Sequence, residues 1–286
     1  MKSIRIGGVP EHFNLPWHLC IEENEFNKEE INVIWKDFPG GTGAMNNALR
    51  SGEIDAAVIL TEGITRDIIN GNEAKIVQTY IGSPLIWGIH VAADSRYRNL
   101  KDLEHTKAAI SREGSGSHLM AYVNAQNNGW NFNNLDFEIV KDLDGAVEAL
   151  KEDKAQYFMW EHFTTKPLVD NHTFRLISDC PTPWPCFVIA VRDEVLKYDS
   201  QRIHTMLKVL NRKTSGFKDI PGIDEILAQR YDQKLEDIRK WLKVTTWSNS
   251  QLSEKELNEV QSKLLQLKLI PKQVESSEIL YSLQPF

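Results

Sequence analysis

The chain has 286 residues, with 33 Lys and Arg against 40 Asp and Glu, a net charge of −7. That length suffices for one large or two medium cores, and the acidic balance excludes broad nucleic-acid binding, which needs a basic face to displace counterions. A mean hydropathy of −0.39 and a longest apolar stretch, 84–93, that is short and interrupted by His90 exclude a helical membrane span.

The N-terminal Met1-Lys-Ser-Ile-Arg-Ile-Gly7 enters a strand-like pattern at once, without the apolar region of a secretory leader. The expected setting is cytoplasmic as written, or periplasmic or extracellular if a leader has been trimmed. Three cysteines, Cys20, Cys180 and Cys186, make no disulfide framework and fit a reducing compartment.

In chain order, short apolar runs at 4–9, 31–38, 55–60, 75–81 and 87–92 read as strands, followed by a second set at 107–111, 136–140, 156–160, 174–177 and 187–191. Amphipathic segments such as 43–51, 117–127 and 144–152 read as helices between them, the pattern of an α/β protein with mainly parallel strands. After Arg192 the spacing is helical throughout, at 193–217, 222–230, 234–243 and 253–268. Ser253-Glu-Lys-Glu256 is a capping box opening the last of these, whose apolar face is Leu257, Val260, Leu264, Leu265 and Leu267.

The two halves echo one another. A Gly-rich turn Phe38-Pro-Gly-Gly-Thr-Gly43, the segment Ala48-Leu-Arg-Ser-Gly-Glu-Ile-Asp55 and a strand ending in Thr61-Glu-Gly63 are followed later by Arg112-Glu-Gly-Ser-Gly-Ser117, Ala149-Leu-Lys-Glu-Asp-Lys-Ala-Gln156 and a strand ending in Glu161-His162. Two similar lobes would each present a helix N-terminus and a strand-end glutamate to a shared cleft.

The candidate ligand contacts follow from this. Backbone N–H groups at Gly41, Thr42, Gly43 and at Gly114, Ser115, Gly116, Ser117 can receive a carboxylate, phosphate, sulfonate or ring nitrogen; the structural alternative is a tight turn that needs glycine. Neither loop has Walker A or dinucleotide spacing. Glu11, His12, Phe13 and Asn14 follow the first strand, between Pro10 and Pro16, where open α/β sheets bind ligands. Thr61, Glu62 and Glu161 stand at later strand ends, where a carboxylate can accept from an amine or protonated ring nitrogen, or else serve a helix dipole. Trp160 and Trp184 could stack on a flat ligand or fill the core; Trp184 lies in Cys180-Pro-Thr-Pro-Trp-Pro-Cys186, a stiff extended path placing it over the cleft. The eight scattered histidines show no metal spacing, and no Gly-x-Ser-x-Gly elbow surrounds Ser115 or Ser117, so no metal, cofactor or covalent nucleophile is expected.

Phe38-Pro-Gly-Gly-Thr-Gly-Ala-Met45, Ala48-Leu49, Ser51-Gly-Glu-Ile-Asp55 and Leu60-Thr-Glu-Gly63, with Asp102-Leu103, Gly114-Ser-Gly-Ser117 and residues 146–150, resemble a recurring block of ABC-transporter solute-binding proteins. The subgroup is the sulfonate/taurine and thiamine-pyrimidine-precursor type. The resemblance covers about residues 4–192 and implies a class II periplasmic-binding-protein-like clamp with a helical C-terminal segment. One lobe would span 1–88 plus 190–286, the other 89–189. It implies a small-molecule ligand in the interlobe cleft, contacts at the residues named above, and a transporter or sensor as partner. A planar heteroaromatic such as a thiamine-precursor pyrimidine suits Glu11, Glu62 and Glu161. The alternative is a cytoplasmic enzyme on the same fold, in pyrimidine or menaquinone-route metabolism, with Glu11, His12 or Glu62 as acid and base.

Overall fold

The computed structural model describes residues 3–282, and Phe132 by its backbone alone; Met1, Lys2 and 283–286, at the ends of the expected first lobe, lie outside the described residues. The chain divides into two compact units, Met1–Pro84 with Trp184–Phe286, and Leu85–Pro183.

In the first unit the order is β1 (Ser3–Gly8), α1 (Leu15–Glu22), α2 (Glu25–Lys28), β2 (Asn32–Asp37), α3 (Gly41–Ser51), β3 (Ala56–Leu60), α4 (Thr61–Ile69) and β4 (Ala74–Ile81). The second unit holds β5 (Ile86–Ala92), β6 (Lys107–Ile110), α5 (Gly116–Asn127), β7 (Asp136–Ile139), α6 (Leu143–Lys151), β8 (Tyr157–Glu161), α7 (Lys166–Asp170) and β9 (Phe174–Pro181). The chain then returns to the first unit as β10 (Phe187–Arg192), α8 (Asp193–Ser215), α9 (Ile223–Arg230), α10 (Leu235–Val244), α11 (Glu254–Gln266) and α12 (Ser276–Ile279).

Each unit is built on a five-stranded sheet, in the orders β2-β1-β3-β10-β4 and β7-β6-β8-β5-β9. The two orders are the same topology. In each, three parallel strands are followed by one strand antiparallel to both its neighbours: β10 between β3 and β4, and β5 between β8 and β9. The expectation of mainly parallel strands holds, since four strands of each sheet run one way, and the exception is one reversed strand in each. Helical crossovers keep β1, β2 and β3 parallel, whereas β5 and β10 are the first strands after each passage of the chain between units and enter their sheets from the opposite direction. Both are buried along almost their whole length, which explains why they read as apolar runs without alternation, broken in β5 only by His90.

The echo of Ala48–Asp55 in Ala149–Gln156 is a structural repeat. The amides of Glu53 and Lys154 reach the carbonyls of Ala48 and Ala149, each at 2.9 Å, and Asp55 and Gln156 donate to the carbonyls of Arg5 and Lys107. The side chain of Asp55 accepts from the Arg5 amide at 2.8 Å, and that of Gln156 from the Lys107 amide at 2.9 Å. One side chain thereby locks the start of each parallel pair.

The Gly-rich turns do not echo. Gly40–Gly43 follows β2, while Gly114–Ser117 follows β6, the counterpart of β1. The true counterpart of Glu11–Asn14 is therefore the Gly114–Ser117 turn. The glutamates are also two positions out of step: Glu161 is the last residue of β8 and pairs with Trp87, whereas its counterpart Leu60 pairs with Phe187 and Glu62 sits beyond it on α4. Between Pro10 and Pro16, His12–Asn14 forms a turn of 3-10 helix leading into α1.

The tail completes the first unit. Its capping box is present, with the Glu256 amide donating to Ser253 Oγ and the Ser253 amide to Glu256 Oε2. Leu257, Val260 and Leu264 are buried, but Leu265 is 40% exposed, so the apolar face of α11 is narrower than its sequence suggests. Leu252, Leu257 and Ile279 join Ile59, Ile76 and Val188 of the sheet in one core. The outer edge of β4 is covered as well, since the Thr79 amide donates to the Ser250 carbonyl and Gly82 to Thr246, leaving little open edge for pairing with another chain. Among the described residues no helix is long and apolar enough to cross a membrane. Leu257→Ala should cost about 2–5 kcal/mol by opening a cavity under the sheet, read as a lower urea midpoint for the transition that includes the first unit.

Candidate functional site

In the first unit the candidate residues gather at the carboxyl ends of β1 and β3. Here β3 turns directly into α4, so Thr61 and Glu62 form the first turn of a helix whose positive end favours a negative side chain. Thr61 is held by its amide on the Cys186 carbonyl at 3.0 Å and its hydroxyl on the Pro185 carbonyl. Glu62 is 3% exposed. Its Oε2 accepts from Trp184 Nε1 at 2.9 Å, while Oε1 is buried with no hydrogen-bond partner. Burial raises the Glu62 carboxyl from 4.5 to about 7, against the opposing hydrogen bonds of the backbone and Trp184.

Trp184 is thus 1% exposed and buried in the first unit as the clamp on Glu62, rather than presented as an open stacking face. Its proline-rich flanks fix that position. Next to this pair, Gly63 is required by close approach: a Cβ there would lie 2.3 Å from Thr42 Cγ2. The N-terminal turns of α3 and α4 therefore touch, placing Thr42 beside Gly63 while Asn46 Nδ2 donates to the Gly63 carbonyl at 3.3 Å. Gly41 takes a φ of 65°, which serves the tight turn, and Gly41 and Gly43 belong to the first turn of α3.

His12 and Phe13 are core residues. The His12 ring lies 4.9 Å from Phe13 and 4.2 Å from Trp241, with Tyr231 on its edge. Burial drives its imidazole down to about 3, so it stays neutral at physiological pH and is unsuited to exchanging protons there. Phe13 packs on Phe187 and Trp241, and its carbonyl accepts from Tyr80 at 2.7 Å. Asn14 is fully buried, donating from Nδ2 to the Val9 carbonyl at 2.8 Å. Glu11, the most open of the four, stands half-buried at the start of the 3-10 turn, where its backbone carbonyl, not its side chain, accepts from the Asn14 amide at 3.0 Å. Trp241 and Tyr231 had no local signal in the sequence, since only the packing of α10 and the end of α9 within the first unit brings them to His12.

In the second unit, Ser115 caps α5 by accepting from the His118 amide, and Gly114, with a φ of 69°, donates to His118 Nδ1 at 2.8 Å. Ser115 and Ser117 hydroxyls lie 3.0 Å apart. Ser117 Oγ also accepts from the Ser111 amide at 3.0 Å and approaches the Ser111 hydroxyl. Ser111 is the member sequence reading missed, and its place as the last residue of an expected strand was the available signal. Glu161 is turned back onto its own chain: Oε2 accepts from the Thr164 amide at 2.6 Å and hydroxyl at 2.8 Å. Burial still raises its carboxyl, opposed by those bonds. Trp160 is half-buried, stacked on Phe158 and edge-on to Trp87.

Glu62 and Glu161 therefore differ chemically. Glu161 spends one oxygen on a local turn, whereas Glu62 holds a buried oxygen that a donor could satisfy. No group of three or more His, Cys, Asp or Glu among the described residues could hold a metal ion, and the three cysteines are buried and unbridged.

The Glu62 carboxyl has a testable signature. The folded chain binds the extra proton between 4.5 and about 7, so this group makes stability fall as pH rises through that window and level off above it. Glu62→Gln should remove this component of the slope, read from urea titrations at about pH 5 and about pH 8.

Residues 87–180, within the second unit, match the family model described as Ca3427-like PBP. No curated protein sequence matches the chain. Among solved structures, the Candida albicans CA3427 gene product, described as exhibiting the generic periplasmic binding protein fold, superposes with a TM-score of 0.90 at 24% identity, over 100% of this chain and 99% of that one. The alkanesulfonate-binding protein SsuA from Xanthomonas axonopodis pv. citri, bound to MOPS, gives 0.82 at 16% identity over 98% of both chains. The aliphatic sulphonate binding protein SsuA from Escherichia coli gives 0.79 at 16% over 100% and 94%. The fold implied by the resemblance is therefore present: this chain has the periplasmic-binding-protein fold, with the Ca3427-like pattern in residues 87–180.

Proposed function

We propose that the protein binds a small planar heteroaromatic molecule carrying amino groups, such as a thiamine-precursor pyrimidine, and performs no chemistry on it. The single observation that carries this reading is Glu62, a carboxyl with one oxygen clamped by Trp184 and the other buried without a partner. A ligand N–H would satisfy that oxygen and favour the charged form, a stronger bond than a neutral pair makes. An anionic sulfonate brought to the same carboxylate would be repelled. Closure of the two units on the ligand, delivery to a transporter or sensor and a cytoplasmic setting belong to the same proposal.

The fold comparisons support binding over catalysis, because the sulfonate-binding neighbours are named for what they bind. Within the chain, the neutral, buried His12 weakens the acid–base alternative. Ser111, Ser115 and Ser117 around the start of α5 are a specific observation in favour of a ligand oxygen or ring acceptor as a second feature.

Native mass spectrometry of the freshly purified protein, followed by denaturation, should release an intact small molecule. Calorimetry with a 4-aminopyrimidine should then show binding that Glu62→Gln weakens by at least about ten-fold. Binding of MOPS alone, unchanged affinity in the variant, or conversion of the ligand with time would each overturn the reading.

A further inference from the structure

The turn that opens α5 carries a histidine that the ligand reading does not use. Ser115 caps this helix, with Gly116 and Ser117 as its first two residues and His118 as its third. A serine cap followed three residues later by a side chain that reaches back is the plan of a capping box, where a glutamate or glutamine usually supplies the acceptor. Here an imidazole takes that place and reaches one residue further out. The His118 amide donates to Ser115 Oγ at 3.3 Å, and His118 Nδ1 accepts from the Gly114 amide at 2.8 Å.

These two bonds fasten the turn where its backbone is freest. Gly114 has a φ of 69°, a left-handed conformation that glycine can leave as readily as it enters. The Ser115 amide is turned to the Arg112 carbonyl at 3.1 Å, and Ser117 Oγ meets Ser111 and Ser115. His118 therefore ties down the same loop that gathers the three serine hydroxyls at the start of α5.

The half-buried ring is wedged in place. Its centroid lies 4.6 Å from that of Phe137 on β7, edge-on, and 5.1 Å from that of Tyr122, one turn along α5. Because the donor in the 2.8 Å bond is a backbone N–H, the hydrogen-bond pattern assigns an unprotonated Nδ1 and a proton on Nε2. An imidazolium carries a proton on both nitrogens and cannot accept this bond. The titratable neighbours are Tyr122 on α5 and the exposed Arg112 and Glu113 on the turn. On β7, Asp136 and Glu138 lie 3.5 and 3.8 Å from Lys107 Nζ.

We propose that His118 is a positioning residue, a latch that in its neutral form holds the Gly114–Ser117 turn in the shape that meets the ligand and on protonation releases it. This role rests on the reading that the turn contacts the ligand, whereas the latch itself can be observed without one.

Two variants of the full chain separate the parts. His118→Phe keeps a ring against Phe137 and Tyr122 and removes the acceptor; His118→Asn sets an amide oxygen near the place of Nδ1 and does not titrate. NMR of the ligand-free protein at about pH 7.5 should show His118 protonated on Nε2 alone. The Gly114 amide should exchange with solvent at least about ten-fold faster in His118→Phe than in the wild type or His118→Asn. Calorimetry with 4-aminopyrimidine should show binding about three- to ten-fold weaker in His118→Phe and close to wild type in His118→Asn. Between about pH 7.5 and about pH 5.5 the wild type should lose more affinity than His118→Asn, by a similar factor. Any change at Glu62 is common to both proteins, so the difference between them reports His118. Circular dichroism verifies that each variant is folded. A proton on Nδ1 at about pH 7.5, unchanged Gly114 exchange in His118→Phe, or equal loss of affinity in the two variants would overturn the proposal. Absence of 4-aminopyrimidine binding to the wild type would instead remove the ligand reading, and the Gly114 exchange rates would then decide the latch alone.

Discussion

Each sheet is completed by a strand that reaches it after the chain has passed from the other unit, and the rest of the molecule depends on that insertion. β10 lies between β3 and β4, and β5 between β8 and β9, each antiparallel to both neighbours. The first sheet cannot be finished from one contiguous stretch, because β10 comes from beyond the second unit, whereas the second unit is contiguous and seats its own first strand, β5, between two later ones. The inserted strand also brings its neighbours: immediately before β10 comes Trp184, which reaches Glu62, and Pro185 and Cys186, whose carbonyls hold Thr61. The chemistry of the Glu62 region is thus a by-product of how the sheet closes.

Burial then determines which polar residues remain chemically useful. His12 and Glu62 are both nearly inaccessible, yet desolvation acts on them in opposite senses, because it disfavours whichever form is charged. It leaves the imidazole neutral and packed among aromatic rings, as a core residue. It brings the carboxyl close to neutral pH, where a ligand donor can decide its protonation state. Glu161 is equally buried but already bonded to Thr164, so equal burial does not make the two glutamates equivalent.

Much of the architecture was legible because it is written locally. The repeat 48–55 and 149–156 carries the same backbone turn and the same side-chain lock on the neighbouring strand. The capping box at Ser253 needs only residues three apart. Strand direction was less legible, since an apolar run has no polarity and β5 and β10 look like any buried parallel strand. The apparent match of Gly40–Gly43 with Gly114–Ser117 came from composition, and topology assigns those turns to different strands.

The sequence by itself determined the α/β class, the positions of most strands and helices, the paired halves and the gathering of candidate residues at strand ends, because periodicity, capping and turn chemistry act over a few residues. Only tertiary structure decided which strands run antiparallel, that Trp184 clamps Glu62, and that Trp241 and Tyr231 enclose His12. Those outcomes join residues far apart in the chain, 122 positions in the case of Trp184 and Glu62, and no local spacing encodes such a meeting; it follows from the packing that buries the apolar faces of each unit.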